Sequence, residues 1–194
     1  MAARRPARDG EGRRHRAAHR PPRPLHRRPH HGPLPPRRTG RRTSLTPKGP
    51  GDNLLLGEQA TPSSTNGSFS PCGAVDGDSN GDHWSTTTGW NDGTKSAFPD
   101  TYAVALPTPT TLARTVTTTL DSTKYPAPKY GLRDFDVQAQ VSGAWVTVAS
   151  IRGNTAGSVT STFPPVQASA VQIVALDSND HAYSRLVELA AYSS

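Results

Sequence analysis

The 194-residue chain contains a single cysteine, Cys72, so no disulfide can form within it. It also lacks any apolar run close to the roughly 20 residues that a membrane-spanning helix requires. Arg4 and Arg5 resemble the basic start of a secretory signal, but no apolar segment follows them. These absences argue against a small disulfide-stapled scaffold and a helical membrane protein, and they leave the cellular compartment open.

Acidic residues are scarce in one part of the chain and basic residues in the other. Residues 1–50 hold fifteen of the 22 Lys and Arg and only two of the 15 Asp and Glu, so this part is about +13. The remainder, with seven basic and thirteen acidic residues, is about −6. The sequence pI of 10.1 therefore belongs to the N-terminal part and does not indicate that a folded domain binds nucleic acid.

Residues 1–51 are rich in Arg and Pro, and the only large aliphatic residues within them are Leu25, Leu34 and Leu45. Such a segment buries too little apolar surface to offset its ordering entropy, so we predict a disordered basic tail. Three interpretations compete: an anion-binding tail, a solvated linker, and a mis-chosen start codon in GC-rich DNA. We favour the third, because an anion-binding tail usually contains several lysines and Lys48 is the only one here.

Residues 52–194 have a residue pattern typical of an all-β domain, with short runs of β-branched residues separated by turn-forming residues. Phe135, Val137 and Ala139 alternate with polar residues, as one buried face of a strand does. We predict an antiparallel jelly-roll β-sandwich. The predicted strands are Tyr102–Leu106, Leu112–Leu120, Asp134–Val141, Ala144–Ile151, Ser158–Phe163, Ala168–Leu176 and Ser184–Tyr192.

Turn residues set the limits of several of these strands. Ser142-Gly143 lies between two alternating runs and predicts a tight hairpin turn. Pro164-Pro165 is expected to stop a strand and begin a loop.

One acidic segment stands out, Asp76-Gly77-Asp78-Ser79-Asn80-Gly81-Asp82. Carboxylate and amide oxygens suit calcium better than zinc or copper. The spacing matches the first half of an EF-hand loop, but Thr87 stands where that loop requires a bidentate glutamate. On composition alone, a metal-binding loop and an ordinary acidic turn are equally good interpretations.

From Asn53 onward the chain resembles a discoidin domain, also called the coagulation factor 5/8 type C domain, and the related galactose-binding-like carbohydrate-binding modules of bacteria. The resemblance includes an Ala-x-Asp-Gly motif followed by a tryptophan signature. The matching segments, in order, are Asn53–Gly57, Ala60–Ser64, Ala74–Gly77, Trp84–Thr86, Leu132–Gln138, Phe163–Ala168 and Tyr183–Leu189.

The resemblance implies a structural calcium ion that ties the early Asp-Gly loop to the last strand. Asp76 would contribute a side-chain oxygen, and Gly73 and Asp78 would contribute backbone carbonyls. Asp82 stands two residues before Trp84, where the family usually has a serine or threonine ligand. The implied calcium ligands are Gly73, Asp76, Asp78, Asp82 and Glu188.

Sugar-binding members of the family combine an aromatic face with polar side chains in loops at one end of the sandwich. The candidate ligand-binding residues here are Trp90, Lys124, Tyr125, Asn179, His181 and Tyr183. Each has an alternative structural role, such as rim packing for Trp90 or turn formation for Asn179. We assign Trp84 and Trp145 to the core.

The folded part contains only two histidines, His83 and His181, and no Gly-x-Ser-x-Gly or Cys/His signature. We therefore predict a non-enzyme: a calcium-stabilised, monomeric carbohydrate-binding module of a secreted protein, with no specific nucleic-acid partner. It could be an accessory module of a secreted glycosidase. The alternative is an adhesion domain that binds protein or a phospholipid surface.

Overall fold

Seven strands and two short helices make up the part of the chain that the computed structural model describes, residues 48–49 and 51–194. The predicted tail lies outside this part, apart from Lys48, Gly49 and Gly51. No helix in the described part is long and apolar enough to cross a membrane. The strands are β1 (Ala60–Pro62), β2 (Trp90–Asn91), β3 (Asp100–Thr119), β4 (Leu132–Val141), β5 (Ala144–Ile151), β6 (Ser158–Ser178) and β7 (Arg185–Tyr192), and the helices are a 3-10 turn (Gly81–His83) and α1 (Ala127–Tyr130).

The strands pair in the order β2-β7-β3-β6-β4-β5, with β1 added to β3, and every pairing is antiparallel. The two longest strands, β3 and β6, pair with each other along most of their length. The first half of β3 pairs with β1, whereas its second half also pairs with β7. Each long strand thus contributes to both layers of an antiparallel β-sandwich, the fold class predicted from the sequence.

Prolines mark the places where β3 and β6 bend between the layers. The β3–β6 ladder is interrupted between Leu112, opposite Val166, and Arg114, opposite Thr162. Pro164-Pro165 lies in this irregular stretch, where a missing N–H breaks no ladder hydrogen bond. The prediction that these prolines end the strand was therefore wrong, because a bulge absorbs them and β6 continues to Ser178.

Alternating side chains from both layers form one hydrophobic core. Phe135, Val137 and Ala139 of β4 are buried, which confirms the predicted alternation. The turn at Ser142-Gly143 joins β4 to β5 with positive φ at both residues (51° and 84°), which matches the right-handed twist of a two-residue hairpin.

Trp90, predicted to contact a ligand, is buried, whereas Trp84 and Trp145, predicted to lie in the core, are not. Trp90 is only 1% exposed, packs 5.0 Å from the ring of Tyr102 and donates from Nε1 to the carbonyl of Ser64. It is therefore a core residue and presents no face to a ligand. Trp145 is 38% exposed, because it lies on the edge strand β5 opposite Gln140, whose side chain points away from the core. Trp84 is half-buried in the loops, so assigning Trp84 and Trp145 to the core was wrong.

Candidate cation and ligand sites

Oxygen atoms from two separate segments, residues 73–78 and Val187, surround the buried hydroxyl of Thr88. Thr88 Oγ1 lies 3.1 Å from Gly73 O and 3.0 Å from Asp76 Oδ1. The carbonyl oxygens of Asp78 and Val187 lie 3.1 and 3.5 Å from it. A hydroxyl has one proton and can donate it to only one of these acceptors. Gly73 O and Asp76 Oδ1 also accept from the backbone N–H groups of Gly89 (2.7 Å) and Asp78 (2.9 Å), but every one of these oxygens has a second lone pair, and such a convergence of oxygens favours a cation.

The carboxylate of Glu188 completes this group of oxygens. Its Oε1 accepts hydrogen bonds of 3.3 Å from Gly77 N and Asn53 Nδ2, while Oε2 is buried with no hydrogen-bond partner in the described part of the chain. Burial, together with the nearby charge of Asp76, raises the pKa of Glu188 to about 7. We call Gly73 O, Asp76 Oδ1, Asp78 O, Thr88 Oγ1, Val187 O and the Glu188 carboxylate the oxygen cage.

Backbone pairing brings these distant segments together. Gly89 N donates to Gly73 O at 2.7 Å, and Leu189 N donates to Ala74 O at 2.7 Å. Gly73 must be glycine, because a Cβ there would collide with the backbone carbonyl of Gly89. The acidic loop is therefore clamped between the residues before β2 and strand β7.

The donor set of the oxygen cage fits calcium, which takes six to eight oxygen ligands from carboxylates, carbonyls and hydroxyls. No group of three or more His, Cys, Asp or Glu side chains suited to a metal ion occurs among residues 48–49 and 51–194. The cage has only two carboxylates, Asp76 and Glu188, and backbone carbonyls supply most of its other oxygens.

Four of the five predicted metal-ligating residues meet at the cage, but Asp82 does not. Its side chain is exposed, and Oδ1 accepts a 3.0 Å hydrogen bond from Thr123 N. The hydroxyl two residues before a tryptophan comes from Thr88, ahead of Trp90, rather than from the position ahead of Trp84. The Thr88-Gly89-Trp90 spacing was the sequence signal that could have identified this residue.

The Asp78 carboxylate points away from the cage, as expected of a residue that contributes its carbonyl. It accepts a hydrogen bond from Asn80 N at 2.9 Å and pairs with His83 Nδ1 at 2.7 Å. The Asn80 N–H and the His83 ring both lower the pKa of Asp78. These bonds hold the acidic loop in one conformation.

Four half-buried aromatic side chains lie in contact next to the cage. Their ring centroids follow one another at 4.8 Å (Phe69 to Trp84), 5.8 Å (Trp84 to Tyr125) and 5.3 Å (Tyr125 to Tyr130). We call these four residues the aromatic row. The sequence singled out only Tyr125 as a contact residue, although the repeated Lys-Tyr pair at 124–125 and 129–130 was a signal for Tyr130.

Cationic side chains flank the aromatic row. The Nζ of the exposed Lys124 lies 5.0 Å from the ring centroid of Tyr125. The guanidinium of Arg185 lies 5.7 Å from the ring of Tyr130 and 5.3 Å from that of Tyr183. Tyr130 and Arg185 were not among the predicted ligand-binding residues. They connect three residues that were, Lys124, Tyr125 and Tyr183.

The other two predicted polar contacts serve turns. Asn179 Nδ2 donates to the carbonyls of Ala127 (2.8 Å) and Asn154 (3.0 Å), which fixes α1 against a neighbouring loop. His181 is exposed, and its Nδ1 lies 2.9 Å from both carboxylate oxygens of Asp177. Asn179 therefore has a structural role, whereas the His181 ring remains accessible.

A cleft of about 180 Å³ lies between Phe69, the first member of the aromatic row, and two residues of the oxygen cage. Phe69 forms one wall, and Gly73 and Thr88 of the cage line its base. The residues around it are mostly small and hydroxylated. The lining consists of Ser68, Phe69, Ser70, Gly73, Ser85, Thr86, Thr87, Thr88 and Gly89.

Two buried carboxylates, Asp92 and Asp100, resemble a catalytic acid pair at first sight. Burial raises the pKa of both. Asp92 accepts from the backbone N–H groups of Ser184 and Thr94, and Asp100 accepts from the hydroxyls of Ser184 and Ser63. These bonds tie β3 to the loops beside β2 and β7, which is a structural role.

Comparison with known proteins agrees with this geometry. The family model described as the F5/8 type C domain matches residues 59–189, which is more than half of the chain. The chain belongs to the F5/8 type C domain family. The resemblance identified from the sequence is thereby confirmed. No sequence among curated proteins matches this F5/8 type C domain.

Several solved structures similar to the F5/8 type C domain are described as sugar-binding modules. Chitosan-binding module 1 of a Paenibacillus sp. IK-5 chitosanase/glucanase is 24% identical (TM-score 0.59; 73% of this chain and 98% of that one). The family 32 module of C. perfringens NanJ, solved with galactose, is 22% identical (TM-score 0.56; 69% and 92%). A Streptococcus pneumoniae fucose-binding module is 19% identical (TM-score 0.62; 73% and 95%). At these identities the likeness establishes the fold.

Proposed function

We propose that this F5/8 type C domain is a non-catalytic carbohydrate-binding module with a structural calcium ion, which directs a secreted protein or enzyme to glycan. The observation that supports this most strongly is the aromatic row, four successively contacting rings of which Phe69 lines an open cleft. Aromatic faces pack against the apolar face of a pyranose, while polar groups around them bind its hydroxyls.

The sugar would contact the exposed parts of Trp84 and Tyr125. Lys124 beside the Tyr125 ring offers three N–H donors to sugar hydroxyls. The serine and threonine hydroxyls of the cleft can both donate and accept. Modules of this fold are solved with galactose and with chitotriose, so we propose glycan as the ligand class without assigning one sugar.

Calcium would be held by the oxygen cage. When bound, the ion would neutralise Asp76 and Glu188 and give Glu188 Oε2 the partner it lacks. Because Gly73 and Thr88 belong to both the cage and the cleft, an ordered cage also fixes the base of the cleft. The proposed role of calcium is therefore structural.

A non-catalytic role agrees with the state of the ionisable side chains. Both histidines of the described part, His83 and His181, are exposed and paired with aspartates of their own turns. The buried pair Asp92 and Asp100 is closed by hydrogen bonds to its neighbours. We further propose that the domain is monomeric and extracellular, like the discoidin-type modules it resembles.

Binding to protein or a phospholipid surface is the competing function. Membrane-binding loops need large apolar side chains at their tips. The exposed large hydrophobic residues of the described part are Leu56, Trp145 and Val146, which are outside the aromatic row. Residues 93–96 form an exposed tip composed of Gly, Thr, Lys and Ser. Glycan is therefore the better-supported ligand.

A printed glycan array probed with the full chain in calcium tests the proposal, alongside Tyr125→Ala. Tyr192→Ala is the matched control, because Tyr192 is also a half-buried tyrosine covered by a cation, Arg114 at 3.9 Å. We expect glycan signals that persist in Tyr192→Ala and fall at least tenfold in Tyr125→Ala. Binding to phosphatidylserine vesicles with no glycan signal would overturn the proposal.

A further inference from the structure

The outward face of the β4–β5 hairpin combines an exposed indole with a row of amides. Trp145 lies on β5 directly opposite Gln140 of β4, and Thr147 lies opposite Gln138. Gln138 in turn lies opposite Gln172 of β6. Residues paired across a sheet point to the same side, so these five side chains share one face.

Hydrogen bonds hold the amides of this face in place. Gln172 Nε2 donates to Gln138 Oε1 at 2.6 Å, and Gln138 Nε2 donates to Thr147 Oγ1 at 3.1 Å. Gln140 Oε1 accepts from Ser169 Oγ at 2.8 Å. Gln172 is buried and orders Gln138 from below, whereas the half-buried amides of Gln138 and Gln140 keep free hydrogen-bonding capacity toward solvent, because an amide has two N–H protons and an oxygen with two lone pairs. The polar groups beside the indole are therefore ordered before any ligand arrives.

This face carries no net charge. The sequence from Val137 to Ile151 contains no Asp, Glu, Lys or Arg. The nearest charged residue, Asp136, lies next to Gln138 on the same face and is neutralised by Arg152 at 2.8 Å. A charged partner would find no complementary group here.

We propose that this face, the indole platform formed by Trp145, Thr147, Gln138 and Gln140 beside the buried Gln172, is a second glycan-binding surface that takes neutral polysaccharide chains. It goes beyond the proposed function because it shares no residue with the aromatic row or its cleft. The accessible amides of Gln138 and Gln140 are about 7 Å apart along β4 at 3.4 Å per residue, and Trp145 and Thr147 lie opposite them on β5, so the platform is long enough to follow an extended chain past its first ring.

The chemistry of the platform favours a neutral glycan over other partners. Nucleic acid and anionic lipid require cations, and the platform has none. Ordered amides suit hydroxyl groups, which both donate and accept hydrogen bonds. An exposed indole suits the C–H face of a pyranose, and the open strand face around it suits a chain rather than a chain end.

The test uses the full chain in calcium with cellohexaose, xylohexaose and mannohexaose as probes, monitored by titration calorimetry and tryptophan fluorescence. Trp145→Ala should raise the Kd for at least one probe tenfold or more, equivalent to about 1.4 kcal/mol. Trp145→Phe, which keeps an aromatic face, should retain part of the affinity. Val146→Ala is the matched control, since Val146 is the next residue, is 45% exposed and points to the opposite side.

Tyr125→Ala separates the two surfaces. Platform binding should survive Tyr125→Ala, even if that variant loses every signal on the glycan array. The inference is overturned if none of the three probes binds the wild type at millimolar concentration, if Trp145→Ala leaves the Kd unchanged, or if Tyr125→Ala and Trp145→Ala abolish the same binding event. Equal melting temperatures of the Trp145 variants and wild type establish that lost binding is not lost folding.

Discussion

Removing calcium from the oxygen cage should destabilise the domain, and the loss should grow with pH. Without the ion, Glu188 has a pKa of about 7 in the folded protein against 4.5 for an ordinary glutamate. Below pH 4.5 the carboxyl is protonated in both the folded and unfolded states, so it costs nothing. Between about pH 4.5 and 7 the unfolded state ionises more readily, so the metal-free fold loses stability as pH rises.

The size of this loss follows from the shift in pKa. A pKa of about 7 in the folded protein, against 4.5 for an ordinary glutamate, lowers the stability of the metal-free fold by at most about 3 kcal/mol. Calcium binds the ionised carboxylate and acts in the opposite direction, contributing about 4 kcal/mol when its concentration is 1,000 times its Kd. At pH 8, addition of calcium to chelated protein should therefore raise the melting temperature by roughly 10–15 °C.

Thermal unfolding followed by circular dichroism, in EDTA and in calcium from pH 4.5 to 8, measures both effects. The chelated protein should melt at progressively lower temperature toward neutral pH, and calcium should remove that trend. Thr88→Val, which deletes the hydroxyl at the centre of the cage, should lose most of the calcium effect. A melting temperature at pH 8 that is the same in excess EDTA and in calcium would refute the reasoning.

Three further substitutions test the placement of individual residues. Asp82→Ala should keep the full calcium-dependent rise in melting temperature, because this carboxylate bonds Thr123 N outside the cage; loss of the rise would restore Asp82 as a ligand. Trp90→Ala should lower the free energy of unfolding in urea by about 3–5 kcal/mol, whereas a loss below about 1 kcal/mol would contradict its place in the core. Gly143→Ala should cost about 1 kcal/mol in the same assay because Gly143 has a φ of 84° with open space around it; a neutral effect would argue against that turn.

Strand positions were largely predictable from the sequence, since alternation and turn residues are local properties. The limits Ala144–Ile151 predicted for β5 are confirmed, and β4 begins only two residues before its predicted start. The long strands β3 and β6 were each predicted as two pieces. The prolines in these strands do interrupt the regular hydrogen-bond ladder. That each strand continues through a bulge into the other layer is visible only once its pairing with the partner strand is known.

The cage residues were predictable only as far as the family motif is contiguous. Gly73, Asp76 and Asp78 follow one another closely, and the structure brings them to Glu188 as expected. Thr88 was missed because an intervening segment places Asp82 two residues before a different tryptophan. The two Thr/Asp-x-Trp spacings look alike in sequence, and only the buried position of Trp90 distinguishes them.

The ligand-binding surface was the least predictable part, because it depends on contacts between loops. Phe69 and Tyr125 are far apart in sequence and are joined through Trp84. Hydrophobicity could not show which indole lies in the core, since all three tryptophans are equally apolar. Trp145 alternates correctly with its neighbours, but β5 is an edge strand and its outward face meets solvent.

A crystal structure of the full chain grown with calcium and the strongest glycan from the array would test the central claim most directly. We predict a pyranose ring within about 4.5 Å of the rings of Trp84 and Tyr125, and a cation coordinated by Thr88 Oγ1 and the Glu188 carboxylate. A glycan that binds without touching the aromatic row, or a cage whose oxygens coordinate no ion at saturating calcium, would contradict it.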